Sequence, residues 1–193
     1  VISQPIKGTS RRSNDPDEDN YLFNKLLKSQ KDISENIMIV DLVRNDLSVT
    51  AKSGSVNVDK LCGVYSFSNV HQMISTISSE LEKEIHFTEV IKTSFPMGSM
   101  TGAPKQMALN LINKFEENKR NLYSGSVGYI TPDGDFDFNV VIRSLIYNYK
   151  RKYLSLSVGG AITSKSIPIK EYEECITKAQ PIFDAFNHVL DEK

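Results

Sequence analysis

The sequence has no surplus of either charge: 23 Lys and Arg stand against 24 Asp and Glu, a formal net charge of −1 over 193 residues. Nothing in that balance indicates nucleic acid or an acidic membrane as the main partner. Long apolar runs are missing too. No stretch approaches the roughly 20 residues that a bilayer-spanning helix requires, and no signal peptide opens the chain. There are only two cysteines, Cys62 and Cys175, far apart and with no Cys-x-x-C, so free thiols in a reducing, cytosolic compartment are expected. Repeats, low-complexity tracts and obvious linkers are absent. So is an initiator Met: VISQPIKG starts inside a strand-like stretch, as if an upstream segment had been cut away.

What is present is ordinary for a globular domain. Hydrophobic residues make up 39% and charged residues 24%, and the length suffices to bury a real core. Asp15-Pro16 reads as N-cap and first helical residue of a helix carrying Leu22, Phe23, Leu26 and Leu27 on one face. SENIMIVDLVRND reads as a second helix. SGSVNVD is expected to be a short strand, and VHQMISTISSEL an alternating, β-branched one. HFTEVIKTS is a short helix, ended by the loop FPMGSMTGAP, and Pro104 opens another with Met107, Leu111 and Phe115 in register. From Tyr123 to Thr163 the pattern predicts three antiparallel strands, with a turn at Asp133-Gly134 and a second at YKRKY. The last segment reads as a helix interrupted or kinked near Pro181. Antiparallel strands with helices between them predict an α+β fold.

Several constellations could carry chemistry. Glu171, Glu174 and Lys178 are three and four residues apart and share a helix face. Two carboxylates so stacked can hold a hard cation such as Mg²⁺, or form a solvated charged face. Glu35 opens an otherwise apolar helix, where a first-turn acid also suits the helix dipole. GSMTGAPK delivers glycines and hydroxyls to a helix start, a setting for an anion. It is not a nucleotide loop, because Ala103-Pro104 precedes Lys105 and Gln106 follows it. The strand period places Arg143 among Val141, Leu145 and Tyr147, and a partly buried arginine calls for a carboxylate, internal or on a ligand. Gly159-Gly160, on the strand expected at SVGGAIT, would let a ligand approach the backbone. His71 shares a strand face with Met73, Ser75 and Ile77, which suits a core histidine as well as a reactive one. Cys62 has no assignable base and reads as a small buried hydrophobe. Lys7, in QPIKGTSRR, reads on its own as surface charge.

Taken in order, PIKGTSRR, ENIMIVDLVRNDLS, FPMGSMTGAPK, YSGSVGYITPDGDFDFNVVIRSL, SVGGAIT and EYEECITKA resemble the successive signature blocks of the chorismate-utilising enzymes. The likeness spans nearly all of residues 4–183. It implies two antiparallel sheets face to face with flanking helices. It also implies Mg²⁺ held by Glu35 and Glu174, with Glu171 reaching it through water. Gly8, Thr9, Thr101, Gly102 and Lys178 match positions around the ring and its carboxylate. Tyr123, Arg143, Gly159 and Ala161 match the cradle of the enolpyruvyl carboxylate, and His71 matches the active-site histidine.

Where anthranilate synthases typically read P-I-A-G-T, this chain has Pro5-Ile6-Lys7-Gly8-Thr9. The lysine resembles the nucleophile of the aminodeoxychorismate synthase branch, which works with ammonia from a glutamine amidotransferase in p-aminobenzoate and folate biosynthesis. Its amine must first lose a proton, against a reference pKa of about 10.4; burial, and cations such as Arg11 or Arg12, would help. The family's general-acid glutamate lies upstream of this block, so the chain is expected to be the C-terminal portion of a chorismate-binding domain. The competing expectations are an anthranilate synthase component I and a non-catalytic fragment that only binds its partner.

Overall fold

The computed structural model describes residues 1–164 and 166–191. Its contacts divide into two compact units, Val1–Glu117 and Asn118–Lys193.

The first unit is built on a four-stranded antiparallel sheet. Strand β4 (Val70–Ser78) lies at its centre, with β1 (Ile2–Ser3) and β2 (Ile6–Arg11) along one edge and β3 (Asn57–Ser66) along the other. Alternation in β4 buries His71, Met73, Ser75 and Ile77, the period-two pattern of a strand with one face covered. Helices α1 (Pro16–Leu27) and α2 (Gln30–Ser48) both contact the sheet. The start of α1 is the expected one: the Asp15 carboxylate accepts from the amides of Asp17 (2.8 Å) and Glu18 (3.1 Å), with Pro16 at the first helical position. Ser29 caps α2 in the same way, accepting from the Asp32 amide at 3.4 Å. Val40 and Leu47 of α2 meet Ile77 in the core, with Val1, Val43 and Val56 packed around them.

Strand β3 is longer than SGSVNVD suggested. It continues through Cys62, which takes φ +50° at an irregularity between Lys60 and Gly63. The unit continues through α3 (Phe87–Ser94), a 3-10 turn at Gly98–Met100 and α4 (Lys105–Phe115). Among the described residues no helix is long and apolar enough to cross a membrane.

In the second unit the three expected strands are four. Strands β5 (Ser126–Ile130) and β6 (Phe136–Val140) form one hairpin, and β7 (Leu145–Asn148) and β8 (Tyr153–Leu156) another. The turn at Asp133-Gly134 is as expected, Gly134 supplying φ +90°. DFDFNVVIRSLIYNY is not one strand, because the backbone leaves the ladder after Val140 and Arg143 takes φ +50°. SVGGAIT falls beyond β8 as irregular loop rather than strand. Helix α5 (Pro168–Asp191) runs on through Pro181 without interruption. The α+β class is as expected.

Candidate active site

The first unit holds Lys7, Gly8, Thr9, Glu35, His71, Thr101 and Gly102. Lys7 is half-buried in β2, just where the pairing of β2 with β4 shifts register between Ile6 and Thr9. Gly8 has φ +93°, and a Cβ placed there would come within 2.9 Å of Asp32 Cβ on the first turn of α2. A glycine is therefore needed twice over, for its backbone angle and for the close approach of the helix. Asp32 and Glu35 are three apart and share a face of α2. The Gly8 turn thus rests on the same helix face that presents the half-buried Glu35.

His71 is 1% exposed. Its Nδ1 lies 2.9 Å from Ser66 Oγ and its Nε2 3.0 Å from Asp19 Oδ1, with Phe23 edge-on to the ring. Asp19 is held in turn by two contacts from Arg12 Nε (2.9 and 3.1 Å), one from an Arg12 terminal nitrogen (2.9 Å) and the Ser13 amide (2.9 Å). The Arg12 fork, chiefly, and the Ser13 amide keep this carboxyl far below the usual carboxylate range. Both ring nitrogens of His71 are thus engaged within the protein. The register separates His71 from Thr9: Ser10, His71 and Ser66 align across one face, Thr9, Gln72 and Tyr65 across the other. Gln72 was not singled out in the sequence, and only the strand register reveals it.

The suggestion that Arg11 or Arg12 helps deprotonate Lys7 needs correcting. Arg12 is neutralised by Asp19, and Arg11 lies 2.5 Å from Glu18 Oε1. Their charge is matched where it stands. Burial pushes the Cys62 thiol up, which suits a small packed residue better than a nucleophile.

In the loop GSMTGAPK the Thr101 hydroxyl and the Lys105 ammonium are already engaged within the protein. The Thr101 hydroxyl donates to the Met97 carbonyl at 3.1 Å, and Pro104, at the cap of α4, offers no side-chain bond. Lys105 turns inward to Asp46 of α2, Nζ to Oδ2 2.6 Å. The two residues are 59 positions apart, so no local spacing signals the pair.

In the second unit five expected residues converge. A Cβ on Gly159 would come within 2.6 Å of the Tyr123 hydroxyl, and Lys178 Nζ donates to the Gly159 carbonyl at 3.0 Å. The same ammonium meets Glu174 Oε1 at 2.6 Å. Around the bare backbone of Gly160 stand Glu171 Oε2 and Glu174 Oε1, 3.4 and 3.8 Å from where a Cβ would be. Two carboxylates and an ammonium thus face a stretch of main chain with no side chain in the way. An open groove alongside is lined by Gly160, Ile162, Glu171, Tyr172 and Cys175. Ala161 follows in exposed loop. Arg143 is not partly buried as its strand parity suggested; the turn after β6 carries it out to solvent.

The carboxylates of Glu171 and Glu174 are oxygen donors on one helix face beside the bare backbone of Gly160, a donor set that suits a hard cation. Glu174 Oε1 already meets the Lys178 ammonium, so a cation there would share or displace that contact. Among the described residues no group of three or more His, Cys, Asp or Glu side chains gathers as a ready metal cage. A divalent ion at this pair would keep much of its hydration, as Mg²⁺ usually does.

Comparison with known proteins identifies the family. The family model described as chorismate binding enzyme matches residues 1–184. The chloroplastic aminodeoxychorismate synthase of Arabidopsis thaliana is 44% identical over 178 residues, covering 92% of this chain and 19% of the relative. Aminodeoxychorismate synthase component 1 of Escherichia coli is 41% identical over 192 residues, covering 100% of this chain and 40% of the relative. The crystal structure of anthranilate synthase component I from Streptococcus pneumoniae superposes with a TM-score of 0.77 at 32% identity, covering 93% of this chain and 39% of that one. The chain therefore spans less than half the length of each of these relatives. With the family pattern matched along nearly its whole length, the chain belongs to the chorismate binding enzymes.

Proposed function

We propose that this chain takes part in the amination of chorismate to 4-amino-4-deoxychorismate, as the chorismate-binding part of an aminodeoxychorismate synthase in p-aminobenzoate and folate biosynthesis. The observation that carries the reading is the convergence of Tyr123, Gly159, Glu171, Glu174 and Lys178 in one cluster. It supplies fixed polar groups of both signs around exposed backbone, which suits a small dicarboxylate. The 41–44% identity to aminodeoxychorismate synthases supports the choice of branch.

In this reading Lys7, as the neutral amine, adds to C2 of the chorismate ring, both ring double bonds shift, and the C4 hydroxyl leaves as water with a proton from the general-acid glutamate of the family pattern. Ammonia then adds at C4, both double bonds shift back, and Lys7 is expelled as the neutral amine, leaving the product amine protonated. With C2 occupied, nitrogen goes to C4. Gly8, Thr9, Thr101 and Gly102 border the ring. Tyr123, Arg143, Gly159 and Ala161 receive the enolpyruvyl carboxylate, and Lys178 stands near the ring carboxylate. His71 is the histidine matched by the family pattern, and its doubly bonded, buried ring suits orienting more than proton transfer. Glu35, Glu174 and Glu171 would hold Mg²⁺, which supplies positive charge for the ring carboxylate. Ammonia comes from a glutamine amidotransferase partner. The free thiols of Cys62 and Cys175 support a cytoplasmic setting.

The test is a product assay with this chain, chorismate, Mg²⁺ and ammonium at mildly alkaline pH, read by chromatography and mass spectrometry. Formation of 4-amino-4-deoxychorismate, abolished in Lys7→Ala, is expected. Anthranilate in its place would overturn the role of Lys7, and absence of any product would overturn the claim of activity for this chain.

A further inference from the structure

Helix α2 carries two adjoining stripes. Asn36, Val40, Val43 and Leu47 lie along one; of these, Val40, Val43 and Leu47 join the core with Ile77, and the Asn36 amide reaches the Met73 carbonyl. Asp32, Glu35, Ile39, Leu42 and Asp46 recur at spacings of three and four along the other. Each end of this second stripe holds a piece of the candidate site. Asp32 meets Gly8 at one end. At the other, Gly98 packs so closely on Leu42 that a Cβ would fall within 2.9 Å of Leu42 Cδ1. One turn further on, Asp46 takes Lys105. Lys105 and Asp46 side chains are only 20% and 11% exposed. The chain from Gly98 to Lys105 is thus pinned at both ends to one helix face, and Thr101 and Gly102 lie between the pins.

We infer that the Asp46–Lys105 ion pair is a positioning device that holds the Thr101–Gly102 loop in place along the Glu35 face of α2. The pair touches no reacting atom; it acts through the loop. What the loop then contacts rests on the proposed function, but the pinning does not. An ion pair this sheltered is a poor source of net stability and a good source of fixed geometry, since matched apolar residues can replace its stability but not its direction. Removing one partner alone leaves a sheltered charge uncompensated, and burial already pushes the Asp46 carboxyl up against the pull of Lys105. Removing both tests position without that penalty.

The experiment compares backbone hydrogen exchange at residues 98–103 in the wild-type chain, Lys105→Met, Asp46→Leu/Lys105→Met and Lys105→Arg, with chorismate binding titrated in the same preparations. In Lys105→Met and in the double variant the loop amides are expected to lose roughly tenfold protection. The β4 amides keep theirs in the double variant, and Lys105→Arg recovers the loop. Chorismate binding weakens about tenfold in the double variant, with its melting temperature near that of the wild type. Loop protection unchanged in the double variant, or protection lost equally across β4, would overturn the inference. Failure of the wild-type chain to bind chorismate would count against the proposed function instead, and the exchange pattern would still decide the clamp.

Discussion

The Tyr123 hydroxyl occupies the space that a side chain on Gly159 would need, 2.6 Å from the position of its first carbon. Gly159→Ala should therefore push the phenol aside without unfolding the chain, because the obstructing atom is the tip of a side chain and can swing away. The expected result is a melting temperature near the wild type, with chorismate binding weakened roughly tenfold, or about 1.4 kcal/mol. Gly159→Ala/Tyr123→Phe should bind no more weakly than Tyr123→Phe alone. Additive losses in the double variant would show that the two positions act separately.

Gly8 and Gly54 provide a matched pair, with φ +93° and +75° respectively. A Cβ at Gly54 meets nothing within 4 Å, whereas at Gly8 it runs into Asp32 Cβ at 2.9 Å. Alanine at Gly54 should cost only the left-handed backbone, about 1 kcal/mol. At Gly8 an overpacking cost of about 1–3 kcal/mol should be added. Urea unfolding of the two variants measures the difference, and equal costs would mean that α2 yields to the intrusion.

Asp19 sets an acid limit on the first unit. Its carboxyl is depressed below its ordinary value chiefly by Arg12. The stability it contributes is present above the unfolded-state pKa of about 3.9 and lost as pH falls through the depressed native value. The wild-type chain should lose stability steadily below about pH 4, and Asp19→Asn should show a shallower fall over the same range while being less stable at neutrality. Thermal melts between neutrality and acid check this. A variant curve parallel to the wild type would assign the acid sensitivity elsewhere.

Cys62 should react slowly with iodoacetamide. Burial raises its thiol, its amide donates to Ser75 Oγ at 2.8 Å, and its sulfur lies 3.7 Å from Asn36 Oδ1. Alkylation at pH 8, followed by peptide mass spectrometry, should modify a free cysteine peptide well before Cys62. Equal rates would mean that the β3 irregularity opens readily.

Local chemistry announced itself in the sequence; long-range pairing did not. Asp15-Pro16 and Asp133-Gly134 were readable because cap and turn residues act within three or four positions. The run from Phe136 to Tyr147 misled, because its β-branched residues sustain an alternation that the backbone abandons, and nothing marks a non-glycine such as Arg143 as the residue that turns left-handed. Strand parity alone would half-bury Arg143, whereas the turn exposes it. The Glu171–Glu174–Lys178 face was legible from spacing, but its meeting with Gly159 and Tyr123 was expected only through the family pattern. Asp46 and Lys105 are 59 residues apart, and a pair of that kind leaves no periodic trace. Thr9 and Gln72 became neighbours only once the strand register was known.

The two stripes of α2 make that helix intolerant of a change in length. Each residue advances a helix by about 100°, so deleting one between Leu42 and Asp46 would swing Asp46 away from Lys105 and bring a core-stripe residue round in its place. No compensating side-chain exchange elsewhere could mend that error, because phase and identity are separate quantities. The turn between β7 and β8 carries no such restriction: its residues, from Tyr149 to Lys152, are exposed, and insertions there would lengthen a loop without turning anything. Across relatives of this chain, gaps should collect in such hairpin tips and avoid the stretch from Asp32 to Asp46.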